Sequence, residues 1–162
     1  MAAGSTYTPI ATFTVSTAQA SYTFSGISGS YTDLVLVVTG TASSGSYFTL
    51  RFNSDTGSNY SNTEMDGYSG GAASNRNTSS SYMYNGSIQT TQTNTISRIQ
   101  NYSNSTTYKT VLTRSDYATS GVKASVGLWR NTAAITSIQI GTGGANTYQS
   151  GSTFTLYGIA AA

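Results

Sequence analysis

The chain has 162 residues, the size of one domain, and its seven basic and five acidic side chains leave a net charge of +2. Charged residues are 7% of the total, against a usual ~25%. Cysteine and histidine are both absent, which excludes disulfides, thiolate clusters, His-ligated zinc or iron and a Ser-His-Asp triad.

A domain of this length buries enough surface to fold without a metal or crosslink, so no cofactor is expected. No run approaches the ~20 apolar residues of a membrane span. The opening "MAAGSTYTPI" has neither a basic nor an apolar region, so no signal peptide is expected. Arg51, Arg76, Arg98, Lys109, Arg114, Lys123 and Arg130 are scattered. A nucleic-acid binder would cluster them, so neither nucleic acid nor membrane is an expected partner.

The hydrophobic period is two almost throughout. Met1–Thr8 reads as a short N-terminal arm, with a single domain over residues 9–162. "IATFTV" (10–15) alternates, and "SYTFSGI" (21–27) puts Tyr22 and Phe24 on one face. "YTDLVLVVTG" (31–40) holds the unbroken run Leu34–Val38, which suits a central strand covered on both faces. "YFTLRF" (47–52) sets Phe48, Leu50 and Phe52 against Tyr47, Thr49 and Arg51, the pattern of a half-buried strand. Residues 63–92 have few apolar anchors; short strands are expected near Glu64–Tyr68 and Tyr82–Ile88, joined by a mobile loop around Gly70–Ser80.

Further strands follow at "NTISRIQNY" (94–102), "TYKTVLTRSDY" (107–117), "KASVGLWRN" (123–131), "AITSIQIG" (134–141) and "STFTLYGI" (152–159). About ten strands separated by Gly, Ser and Asn turns predict an all-β fold, an antiparallel sandwich or barrel. Serine and threonine supply roughly a third of the residues, and 13 are tyrosine. Threonine and tyrosine favour strands, so the composition speaks for a folded β-protein with a hydroxyl-rich surface.

Candidate chemistry is sparse. In "LRFNSDTGSNYSNTE" (50–64), Asn53, Asp55, Asn59 and Glu64 fall at positions one, three, seven and twelve of a calcium loop. Such a loop needs an oxygen ligand at position five and glycine at six; Gly57 and Ser58 stand there, and the flanks read as strands. A tight turn built from Asn53, Asp55, Gly57 and Asn59 is the better reading, because these residues tolerate left-handed backbone and cap their own peptide groups. Glu64 and Asp66 share a face if their segment is a strand, where paired carboxylates could serve a glycosidase as acid and base; a solvated strand face beside a loop is the better reading. N-x-S/T sequons occur at Asn59, Asn77, Asn85, Asn101 and Asn104, in a chain where abundant Ser and Thr make them common.

The Tyr, Ser, Gly and Asn content matches the mixture that antibody loops use for recognition. Tyr60, Tyr68, Tyr82, Tyr84 and Tyr102 lie in or near the weakly hydrophobic middle; Tyr68, Tyr82, Tyr84 and Tyr102 are the candidate partner contacts. Low charge on a β-protein with many strand edges fits a surface occupied in an assembly.

In order, "YTDLVLVVTG", "LRFNSDTGSNYS", "GLWRNTAAITSIQI" and "TFTLYGI" resemble a group of structural proteins of tailed bacteriophage particles. The match runs from about Tyr31 to Ile159 and is weakest over 63–92. The resemblance implies a jelly-roll-like β-sandwich of the virion and no catalytic residues. It also implies a structural turn at 51–60, with Arg51 anchored on Asp55 or on backbone carbonyls and Tyr60 packing back. The expected role is capsid decoration (cement) on the outer surface of the head, with the major capsid protein and two further copies in a homotrimer as partners. A chain that stops at Ala160–Ala162 after "LYGI" fits a small accessory subunit better than a long fibre. The alternative is a tail- or fibre-associated adhesin that binds host surface glycans through the tyrosine-rich segment.

Overall fold

The computed structural model describes residues 6–116 and 118–160. Twelve strands run among them: β1 (Tyr7–Thr14), β2 (Ser21–Phe24), β3 (Asp33–Gly40), β4 (Ser46–Phe52), β5 (Tyr60–Tyr68), β6 (Gly71–Ser80), β7 (Met83–Ile88), β8 (Thr93–Ile99), β9 (Lys109–Asp116), β10 (Gly121–Trp129), β11 (Ile138–Thr142) and β12 (Thr153–Ile159). All pairings are antiparallel. One sheet has eight strands in the order β1-β12-β3-β8-β9-β10-β5-β6; the other has four, β2-β11-β4-β7. The fold is an all-β sandwich.

The longest apolar run lies at the centre. β3 sits between β12 and β8, with Leu34, Leu36 and Val38 buried. From the facing sheet, β4 contributes Phe48, Leu50 and Phe52, and β11 contributes Ile138 and Ile140, all buried. Phe154, Leu156, Trp129, Tyr60, Tyr102 and Tyr148 also belong to this apolar part of the core.

The rest of the interior is polar. Asn85 of β7 donates to Ser97 Oγ at 2.6 Å, and Thr113 donates to Asn85 Oδ1 at 2.7 Å. Ser115 Oγ accepts from the Ser87 backbone at 3.0 Å. Ser97, Thr113 and Ser115 can line this region because their hydroxyls find partners across the interior, which offsets the cost of burial. Gly127 faces the buried Met83 side chain of β7; a Cβ there would fall 2.1 Å from Met83 Sδ, so the methionine packs where a side chain at 127 would stand.

Two expectations need correction. Gly70–Ser80 is not a mobile loop: Gly71–Ser80 is the ten-residue strand β6, paired with β5 alone at the sheet edge. It shows no apolar alternation because nearly every residue is exposed. The expected N-terminal arm Met1–Thr8 overlaps the first strand. Tyr7 and Thr8 already belong to β1, opposite Ile159 and Gly158 of β12; Met1–Ser5 lie outside the described residues, as does Tyr117 beyond β9.

Candidate functional site

The 53–60 segment is a structural turn built around Asp55. Asn53 and Ser54 have φ of 51° and 57°, the left-handed region that asparagine tolerates better than most residues. Asn53 Oδ1 accepts from the Thr136 and Ser137 backbone N–H groups at 2.8 and 3.1 Å, and its amide donates to the Ala134 carbonyl at 2.8 Å. Asp55 accepts from Gly57 N–H at 2.8 Å, from Asn59 at 2.9 Å and from the Trp129 indole at 2.7 Å. Burial alone would raise the Asp55 pKa, but these hydrogen bonds and one from Asn131 outweigh it and hold the carboxyl below its usual range. The Tyr60 hydroxyl receives the Phe52 N–H at 3.0 Å, and burial pushes its pKa up to about 12.

Arg51 does not reach Asp55. It donates to the Ser81 carbonyl at 3.0 Å and to Gln139 at 3.2 Å, and lies 5.5 Å from the Tyr82 ring centroid. Of its two anticipated anchors, it has the backbone carbonyl. Glu64 is likewise remote from the turn's chemistry. It faces inward on β5, where Lys123 lies 3.0 Å from its Oε2 and 3.4 Å from Asp66 Oδ1. The two carboxylates therefore share a face, as their spacing predicts, but an interior one. No cluster of three or more His, Cys, Asp or Glu side chains occurs among the described residues.

Beside this ion pair, the Asn62 amide, Glu64 Oε1 and Ser125 Oγ are buried without a hydrogen-bond partner among the described residues. Asp33 carries the other ion pair, with Arg98 at 2.6 Å, and accepts the Asn101 N–H at 2.8 Å. Asp116 accepts the backbone N–H groups of Asn94 and Ala118, each at 2.9 Å. All five carboxylates of the protein are thus engaged within the fold.

The candidate contact tyrosines part company. Tyr102 is fully buried, its hydroxyl bonded to the Ser28 carbonyl, and so is no partner contact. Its single-sequence context gave no sign of this, since a tyrosine between polar residues reads the same inside or outside. Tyr68 is exposed near the end of β5. Tyr82 and Tyr84 are half-buried and gather with Tyr47 beside β4. The Tyr47 and Tyr84 ring centroids are 4.5 Å apart, those of Tyr82 and Tyr84 4.9 Å, and the last two hydroxyls are 3.1 Å apart. The bond to Tyr82, then burial, raises the Tyr84 pKa. With Arg51 and Gln139, these rings form a compact aromatic and polar cluster on the four-stranded sheet.

A second surface escapes sequence reasoning. Register places Met65, Leu112, Ala124, Val126 and Ile96 with Arg98 and Arg114 on the outer face of the eight-stranded sheet: Ala124 pairs with both Arg114 and Met65, Val126 with Leu112, and Ile96 with Arg114. Met65 and Val122 are 64% exposed, Leu112 55% and Val126 53%. Two adjoining hollows of about 600 and 450 Å³ run over this face and share Ile96, Arg114 and Ala124. Alternation in "GVKASVGLW" would ordinarily bury Val122 and Val126. Here Lys123 and Ser125 face inward on the side of Trp129, and the valines face out. The signal was the polar residues that share a face with Trp129.

No family model and no curated protein matches the chain. Among solved structures, mutants of the alginate lyase Aly36B in complex with an alginate tetrasaccharide and a trisaccharide are similar at 10% and 9% identity. Each alignment covers 74% of this chain and 70% or 71% of the lyase, with a TM-score of 0.28 in both. Likeness at that level bears on neither function nor ancestry.

Proposed function

We propose that the protein is a non-enzymatic structural subunit of a bacteriophage particle, a capsid decoration protein that binds the outer surface of the head, as a homotrimer in contact with the major capsid protein. The observation that carries this reading is the exposed apolar face of the eight-stranded sheet. Met65, Leu112, Val122 and Val126 stand next to one another there, and contiguous apolar surface on a soluble β-protein marks a site that a partner covers. The chain's ordered resemblance to phage structural proteins supplies the setting. Binding the assembled shell and not its dissociated subunits stabilises the shell by linkage.

The test is the copy number per purified particle, measured by quantitative mass spectrometry against the major capsid protein. Hundreds of copies are expected. A handful would place the protein at the tail or a vertex and overturn the cement role.

The tyrosine cluster favours a second reading, a tail- or fibre-associated adhesin for host glycans. Aromatic faces beside an arginine and a glutamine suit sugar rings and their hydroxyls. Binding on a glycan array that Tyr82→Ala or Tyr84→Ala abolishes would support it; an array with no binding would remove it.

A further inference from the structure

We propose that the outer face of the eight-stranded sheet docks a protein surface that is apolar at its centre and carries carboxylates, with Arg114 and Arg76 as the receiving charges. This deepens, and rests on, the shell-binding reading.

Asp33 is paired with Arg98, and Glu64 and Asp66 with Lys123. Asp55 is enclosed by Trp129, Asn59 and Gly57. Asp116, at the margin of the outer face, is held by two backbone N–H groups. Among the cations, Lys109 donates to the Thr107 and Thr132 carbonyls, Arg130 to Ser58 and Ser61, and Arg51 to Ser81 and Gln139. Arg76 and Arg114 differ: both are exposed, and neither has a carboxylate within ion-pair distance among the described residues.

Both arginines also lie on the apolar face. Arg114 pairs with Ala124 and Ile96 and lines both hollows. Arg76 pairs with Thr63, itself opposite Val126. A second copy is a poor occupant: it would bring guanidinium groups toward guanidinium groups, and its carboxylates are engaged within its own fold. A nucleic acid would match the charge but not Met65, Leu112, Val122 and Val126. An apolar surface that carries Asp or Glu satisfies both features, since a desolvated Arg–carboxylate pair fixes register while apolar burial supplies affinity.

The experiment measures co-sedimentation of the purified protein with particles assembled without it, at low and high salt. Wild type is compared with Arg114→Glu, Arg76→Glu and Val122→Asp. All three positions are exposed, so thermal melts should match wild type and confirm folding. Each charge reversal should weaken binding about tenfold or more, and salt should weaken wild-type binding. Val122→Asp should weaken it regardless of salt. Wild-type binding with all three variants unaffected overturns this inference and leaves the shell-binding reading standing. Wild type that fails to bind overturns both. Two further results would overturn the inference: self-association of wild type that Val122→Asp abolishes, and binding to phosphatidylglycerol vesicles that Arg114→Glu abolishes. The first puts a second copy on the face, and the second an anionic membrane.

Discussion

Trp129 and Asp55, 74 residues apart in the chain, meet through an indole-to-carboxylate hydrogen bond of 2.7 Å. The contact ties the end of β10 to the turn between β4 and β5, and the Trp129 ring packs on Phe52 and Tyr60 in the same place. The ionised carboxylate is the better acceptor for these donors, so the bond links folding to pH. The folded-state pKa of Asp55 is depressed. Its stabilisation is therefore fully present above the ordinary carboxylate pKa and is lost as pH falls through the folded value. Thermal melts from pH 7 down to about pH 2 should show wild type losing more stability than Asp55→Asn. Parallel curves for the two proteins would contradict this.

Arg51 fixes the connection between β6 and β7 through the Ser81 carbonyl and fixes β11 through Gln139. Arg51→Ala should cost about 1–3 kcal/mol in denaturant unfolding. EDTA should leave the melting temperature of wild type unchanged, because the oxygens of Asn53 and Asp55 already accept protein N–H groups. A marked drop with EDTA would restore the calcium-loop reading of 53–64.

Lys123 lies between two inward carboxylates, so its removal leaves two buried negative charges. Lys123→Met alone should destabilise by about 3–5 kcal/mol. Adding Glu64→Gln and Asp66→Asn should recover much of that loss, since the damage comes from uncompensated charge. Equal destabilisation in the single and triple variants would show that the lysine acts through packing instead.

Two buried serines should respond in opposite directions. Ser97 Oγ is bonded to Asn85 and Thr113, at 2.6 and 3.0 Å, so Ser97→Ala should cost about 1–2 kcal/mol. Ser125 Oγ is buried without such a partner, so Ser125→Ala should be neutral or stabilising by up to about 1 kcal/mol. Urea melts of the two variants make the comparison.

The parts of the fold that sequence reasoning reaches are those where one face meets the apolar core. β3 is legible from its unbroken apolar run, in which Leu34, Val35, Leu36 and Val38 are all buried, and β4 because Phe48, Leu50 and Phe52 repeat at the strand period and are buried as that period implies. β6 is illegible because exposure on both faces removes the period altogether. The turn is legible in type, from Asn53, Asp55 and Gly57, but not in its wiring. Nothing near residue 55 announces that Trp129 is the partner, because β10 reaches it only through tertiary structure. The outer apolar face is the instructive failure. Where an interior is itself hydroxyl-rich, as around Thr113, Ser125 and Glu64, polarity no longer tells inside from outside, and the outward face of Val122 and Val126 goes unannounced.

β12 lies between β1 and β3, yet it comes after the other eleven described strands in chain order. β1 has β12 as its single neighbour in the sheet, with Tyr7 opposite Ile159. During synthesis, then, Tyr7–Thr14 has no strand to join until β12 leaves the ribosome, and the flank of β3 stays open for as long. The eight-stranded sheet closes only after translation has passed Ile159, through contacts whose sequence separation makes the step slow. Until then the nascent chain presents two unpaired strand edges to whatever chaperone or sister chain is nearby.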